Sequence, residues 1–255
     1  TKAASDPIVS EKYIQWVVED SFSNGRPYWD ILDHVLLVPD VMPYEKMKVR
    51  LLNGTHSALS YISYLDGHRI VDKALADQDV NFFTRMFLAE QVKTVPPVPG
   101  VELTEYCDVL LERFANPSIK DQIQRLAEDG STKTSTTWAP VILDHIADKR
   151  DTPLMALAVA SWIRYMAGVD DLGNPITITD PRADELKPLA IKALQKRDVL
   201  PFIKATLGED IAASSRFVKS VGVWYKRLLS EGAGRVLGSL DQFGMTIDDG
   251  NDTLK

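Results

Sequence analysis

Apolar residues recur at three- and four-residue spacings along most of the chain, the mark of helices that turn one stripe toward a core. The pattern predicts helices near 10–21, 43–66, 68–94, 102–115, 118–129, 137–148, 153–167, 184–196, 199–206 and 209–230, with a shorter one near 233–240. Local signals set several ends. Asn116-Pro117 reads as an N-cap followed by proline at the first helical position, with Gly130 closing that helix. Thr152-Pro153 repeats the entry, and PPVPG at 96–100 is a stiff connector. One segment departs from the helical period: DHVLLVPDV, 33–41, is a β-branched run ending at proline and reads as a strand, free to pair locally or with another domain. GVDDLGNPITITDP, 168–181, reads as a loop with one short strand, and the polar tail DDGNDTLK as a frayed end.

Helices without βαβ alternation predict a single mainly-α domain with no nucleotide-binding sheet of its own. The nearest thing to a dinucleotide fingerprint, GAGRVLG from Gly232, has the wrong glycine spacing and follows a helical segment instead of a strand. Small residues for close helix packing are the better account.

Composition narrows the picture. At 255 residues the chain can bury a sizeable core, and 45% hydrophobic with 25% charged residues is ordinary for a globular protein. A net charge of −7 lacks the basic footprint that nucleic-acid binding needs. No run of about 18 apolar residues occurs, so no membrane-spanning helix is expected. A single cysteine, Cys107, cannot form an internal disulfide, which points to a reducing, cytoplasmic setting. Its place in TEYCDVLLERF marks it as a small core residue. The five tryptophans, Trp16, Trp29, Trp138, Trp162 and Trp224, are spread singly, as core residues are. His34, His56, His68 and His145 include no i,i+4 pair and no evident acidic partners, so no metal site is expected. TKAASDP at the start has no signal-peptide pattern and no initiator methionine; it begins like the middle of a polypeptide.

The chemistry concentrates in PYEKMKVRLLNGTHSAL, 43–59, which reads as one amphipathic helix. With Lys48 as the zero direction and about 100° per residue, His56 lies near 80° and Asn53 near 140°, while Glu45 sits one turn before Lys48. An amine, a carboxamide and an imidazole can therefore look into one cleft from one rigid element. That set suits proton transfer at a carbonyl or alcohol carbon. Polar residues on a helix are more often just a solvated face. Asn53-Gly54 argues otherwise, since glycine within a helix costs about 1 kcal/mol against alanine.

These residues carry a resemblance. KVRLLNGTHSAL resembles the K-x4-N-x2-H motif of the long-chain polyol dehydrogenases, the mannitol 2-dehydrogenase family. WVVEDSFSNGRPYWD before it, and NPSIKDQIQRLAEDGSTK and ALAVASWIRYMAG after it, agree in order, from Tyr13 to about Gly208. The chain is similar to the C-terminal helical substrate domain of that family, whose partner is an N-terminal nucleotide-binding domain. The resemblance implies residues 1–42 as a link to such a domain, 241–255 as a tail, and a natural protein roughly twice this length.

It also implies metal-independent, reversible hydride transfer between D-mannitol and D-fructose with a nicotinamide cofactor, NAD or NADP, held mainly by the other domain. Lys48 would be the general acid/base, Asn53 half of an oxyanion hole, His56 a holder of the same oxygen, and Glu45 a proton relay. Arg50 and burial would lower the Lys48 pKa while Glu45 would raise it. Arg125 and Lys133 lie around a helix C-terminus, where the macrodipole ordinarily accounts for cations; the resemblance implies instead that they reach substrate hydroxyls. Hexuronate reductases share the core motif and would need a further cation for the substrate carboxylate. A helical binding module without catalysis is the non-enzymatic alternative. The cleft wall formed by Lys48, Leu52, His56 and Leu59 is expected to lie open to solvent.

Overall fold

The structure, a computed structural model, describes residues 11–243. Two short strands precede the helices: β1, Trp16–Glu19, and β2, Val35–Val38, which pair in parallel with Trp16 opposite Val35 and Glu19 opposite Val38. The strand read within 33–41 is thus present and pairs locally. The helix predicted over 10–21 is not: β1 occupies it. Val17-Val18 are β-branched, and a run this short fits either period, so the partner strand decides. Part of the segment expected as a link, 1–42, is therefore folded.

The rest is helical. α1, Met42–Met47, runs through a π-helical segment, Lys48–Asn53, into α2, Gly54–Leu65. The predicted 68–94 helix is two, α3 Val71–Ala76 and α4 Gln78–Val92. Asp77 divides them, its Oδ1 accepting the N–H of Asp79 at 2.9 Å as an N-cap. α5 is Leu103–Phe114. After it the predicted entry fails: the Asn116 side chain accepts the Ser118 N–H in a local turn, and α6 shrinks to Ile123–Ala127.

Gly130 does not close a helix but opens one, α7, Gly130–Ala147. Ser131–Thr137 has weak intrinsic helix preference, which hid this start. The Asp180 carboxylate compensates by accepting the Ser131 N–H at 2.7 Å and its hydroxyl at 2.6 Å. Glycine is required there: a Cβ at Gly130 would stand 2.9 Å from Trp162 Nε1.

α8, Pro153–Met166, is the central helix, and every residue from Leu154 to Ile163 is buried. Its entry at Thr152-Pro153 is as predicted, but the cap comes from elsewhere. Buried Glu90 accepts the N–H of Leu154 at 3.0 Å and of Met155 at 2.9 Å. α9 Ala183–Lys196, α10 Leu200–Leu207, α11 Glu209–Ala213, α12 Ser215–Glu231 and α13 Ala233–Leu237 complete the fold. The predicted 209–230 helix is broken by Ser214, which caps α12. Leu240–Phe243 form a 3-10 turn, and the remainder of the expected tail lies outside the described residues.

α8 packs against α12, α2, α9 and α4. All of α2 is buried except His56. A mainly-α domain is what the sequence predicted, and the described residues contain no nucleotide-binding sheet. Buried Cys107, its thiol pushed up to about 12 by burial, is the core residue expected.

Candidate active site

The candidate motif sits where α1 enters the core through the π-helical segment. The Gly54 N–H donates to the Val49 carbonyl, a bond across five residues. An i→i+5 turn winds more slowly than an α turn, so Asn53 comes round closer to the Lys48 direction than a uniform α-helix would place it. Single π turns of this kind recur at functional sites. Gly54 itself is not demanded by close packing. A Cβ there would meet Trp138 Cδ1 and the Val49 carbonyl at 3.7 Å, ordinary contact, and the Gly54 carbonyl accepts the Trp138 indole N–H at 3.0 Å.

Glu45 and Lys48 are exposed, and neither has an ion-pair partner among the described residues. Asn53 and His56 are half-buried. Leu59, expected on the open cleft wall, is fully buried in the core; only Leu52 of the two leucines stays partly exposed. Arg50, expected beside Lys48, turns away. Its Nη1 donates to Asp144 Oδ2 at 2.6 Å and to the Thr94 carbonyl. Arg50 is thus engaged elsewhere.

His56 is the electrostatic centre of the site. Its ring lies 4.2 Å from that of Phe114, and burial pushes its pKa down to about 4. Asp121 opposes this shift, while Arg125, Arg113 and Lys133 reinforce it, so these four charges surround the imidazole. At neutral pH it is an uncharged donor and acceptor. A cavity of about 280 Å³ opens beside it, lined by His56, Asp72, Arg113, Phe114, Asn116 and Asp121 among others. Lys48, Asn53, Arg125 and Lys133 stand outside its lining. Sequence reasoning missed Phe114, Arg113, Asp72 and Asp121. They come from α3, α5 and the turn before α6, and no local pattern ties them to His56.

Arg125 and Lys133 act on the His56 ring through their charge, and they stand at different helix ends. Arg125, in the last turn of α6, is exposed and forked onto Asp121 at 2.6 Å. Lys133 is in the first turn of α7, where the macrodipole disfavours a cation. The dipole therefore does not explain Lys133. Its ammonium donates to the Leu126 carbonyl at 3.2 Å, and burial lowers its pKa.

One constellation escaped the sequence. Asp66, His68 and Asp77 bring potential ligand atoms within 4.8 Å of one another. The approach of His68 Nε2 to Asp66 at 3.4 Å, and the capping role of Asp77, account for it. Trp16 and Trp29 are likewise not core residues: they pair with each other, ring centroids 4.9 Å apart, on the strand layer. The GAGRVLG segment forms α13, and its Ala233 N–H is taken by the Asp171 carboxylate at 2.7 Å. The described residues thus supply no dinucleotide cradle.

Fold and site together define a helical domain that carries an amine, a carboxamide and a neutral imidazole along the rod from the π-helical segment into α2. The sequence profile of the mannitol dehydrogenase C-terminal domain matches residues 40–229, and the chain belongs to that family. Among relatives, the mannitol dehydrogenase DSF1 of Saccharomyces cerevisiae is 41% identical over 83% of this chain and 42% of its own length. The Pseudomonas fluorescens mannitol 2-dehydrogenase, solved as a ternary complex with NAD and D-mannitol, is 38% identical with a TM-score of 0.83. That match covers 90% of this chain and 47% of the other. A substrate-free D-sorbitol dehydrogenase structure is 28% identical, TM-score 0.77, over 88% and 46% of the two chains. The chain spans about half the length of the relatives it matches.

Proposed function

We propose that this chain is the substrate-binding and proton-transferring half of a nicotinamide-dependent polyol dehydrogenase that interconverts D-mannitol and D-fructose, and that the cofactor is NAD held by a preceding domain. The observation that carries the reading is the set Lys48, Asn53 and His56 on one rod, phased by the π turn. Lys48 takes the hydroxyl proton in oxidation and returns it in reduction. Asn53 donates a hydrogen bond to the oxygen as it becomes an alkoxide. Neutral His56 accepts or donates at a neighbouring hydroxyl without placing a second positive charge beside Lys48. Glu45, exposed one turn earlier, passes the proton to solvent. Arg125 and Lys133 bind further hydroxyls. No metal enters this chemistry.

A hexuronate substrate would call for a free cation near the cavity. Arg113 lines it, but Glu11 holds the guanidinium through bonds of 2.9 and 2.7 Å, which favours a neutral polyol. The presence together of Lys48, Asn53 and His56 argues against a binding module without catalysis. The test compares turnover of D-fructose and fructuronate with NADH by the chain joined to its nucleotide-binding half. Preference for fructuronate would overturn the substrate assignment, and no turnover of either would overturn the enzymatic one.

A further inference from the structure

Among the described residues, Arg50 is the one side chain of the π-helical segment Lys48–Asn53 that makes a hydrogen bond. Two residues after Lys48, it stands about 200° round the rod from the amine, and only 11% of its side chain is exposed. One nitrogen, Nη1, donates both to Asp144 Oδ2 on α7, at 2.6 Å, and to the Thr94 carbonyl just beyond α4.

Both anchor points are fixed. Carbonyls at the end of a helix lack intrahelical donors and attract cations, and the end of α4 receives two guanidinium groups. The second is that of Arg150, from the link between α7 and α8, which donates to the Lys93 carbonyl at 2.7 Å. Glu90, in the last turn of α4, ties the same end to the start of α8. On α7, Asp144 lies six residues beyond Trp138, whose indole N–H donates to the Gly54 carbonyl at 3.0 Å. α7 therefore holds the rod at two places, Arg50 within the π turn and Gly54 just after it. The hold matters because π winding is rare, while the lysine, arginine and leucines of Lys48–Asn53 suit an α-helix well. Burial fixes Met47, Leu51 and most of α2. What remains adjustable is the winding between them, which decides the angle between Lys48 and Asn53.

We infer that Arg50 is a positioning residue: its bonds to Thr94 and Asp144 keep the segment wound as a π turn, and so keep Lys48 and Asn53 aimed at one substrate oxygen. Arg50 acts from the far side of the rod, through those two side chains. Their roles rest on the functional reading above; the tie between Arg50 and the winding does not.

The test uses the enzyme joined to its nucleotide-binding half, with Arg50→Met, Arg50→Lys and Asp144→Asn. Amide hydrogen exchange reads the winding. Arg50→Met should speed exchange of the Gly54 amide, which closes the π turn, by at least about 10-fold while the amides of α8 keep their protection. Turnover reads the aim. Arg50→Met should lower kcat for D-fructose about 10–100-fold, the scale of a small misplacement at the reacting atoms, while KM for NADH holds. Arg50→Lys keeps one donor and should recover part of both readouts. Asp144→Asn leaves the Thr94 contact and should fall between wild type and Arg50→Met; these two variants carry the test if Arg50→Met does not fold. Losses at Arg50 and Lys48 should not add: Lys48→Ala should cost less in Arg50→Met than in the wild type. A lower melting temperature with unchanged kcat, unchanged Gly54 exchange, or fully additive losses would overturn the inference. A wild-type enzyme that turns over neither polyol nor ketose would overturn the functional reading instead, and Gly54 exchange would still decide for or against the hold.

Discussion

Lys48 and Asn53 stand at the two ends of one π-helical segment, and the bond from Gly54 N–H to the Val49 carbonyl holds that segment open. The relationship sets which way the amine and the carboxamide face relative to His56, three residues further along α2.

Lys48→Ala in the enzyme joined to its nucleotide-binding half should lower kcat by about 10²–10⁴, the range for losing a general acid/base. The side chain is exposed and has no ion-pair partner among the described residues, so the melting temperature should hold. Small primary amines should restore part of the rate. Near wild-type turnover without them would remove Lys48 from the proton path.

Asn53→Ala should cost on the order of 10²–10³ in kcat, whereas a rise in KM alone would make Asn53 a ground-state contact. Its neighbour behaves differently. Gly54→Ala meets only ordinary contacts at a helical φ of −61°, and should raise stability by about 0.5–1 kcal/mol. Lowered stability on denaturant titration would show that the π turn, and not the space, demands glycine.

Arg125→Ala and Lys133→Ala should act mainly on KM for the polyol, roughly 1–3 kcal/mol for a hydroxyl left without its donor. They separate on stability. Removing Arg125 loses an exposed ion pair worth little. Removing Lys133 takes a cation from an unfavourable helix end, so the melting temperature should not fall. A fall with unchanged KM would make Lys133 a structural residue.

The motif was legible because its members lie within twelve positions on one helix, and helical period orders such a run. α8 was legible for the same reason, with Thr152-Pro153 marking its entry. The π turn was not, since a winding change leaves no sign in a pattern of apolar spacings beyond the weak point at Asn53-Gly54. α7 was misplaced because its first turn is held by Asp180, distant in sequence. β1 was taken for helix because only β2 decides its conformation. The environment of His56 was invisible for want of any local signal linking Phe114 and Arg113 to it.

The last expectation concerns stability against pH. His56 and His145 are both pushed down to about 4 by burial, from 6.5. Their folded pKa is depressed, so the stability they contribute is present above pH 6.5 and is lost as pH falls toward 4. Glu90, buried against the start of α8, is pushed up to about 7 from 4.5. A raised folded pKa works the other way: its contribution is full below pH 4.5 and lost as pH rises through 7. Asp66, raised by burial and by Asp77 and Asp171, acts in the same sense as Glu90. The carboxylates lowered by ion pairs, such as Glu11 and Glu231, matter only below about pH 4.5. The melting temperature should therefore rise from pH 4 to about 6.5 and level off above it, the Glu90 loss offsetting the last of the histidine gain. Glu90→Gln should remove the offset, so that stability keeps rising from pH 6.5 toward 8, at the cost of one lost helix-capping bond at every pH. His145→Phe should flatten the acid side, because a ring with neither nitrogen hydrogen-bonded no longer has to stay neutral. Calorimetric scans from pH 4 to 8 on the three proteins decide it. A plateau above pH 6.5 that persists in Glu90→Gln would show that some other group carries it.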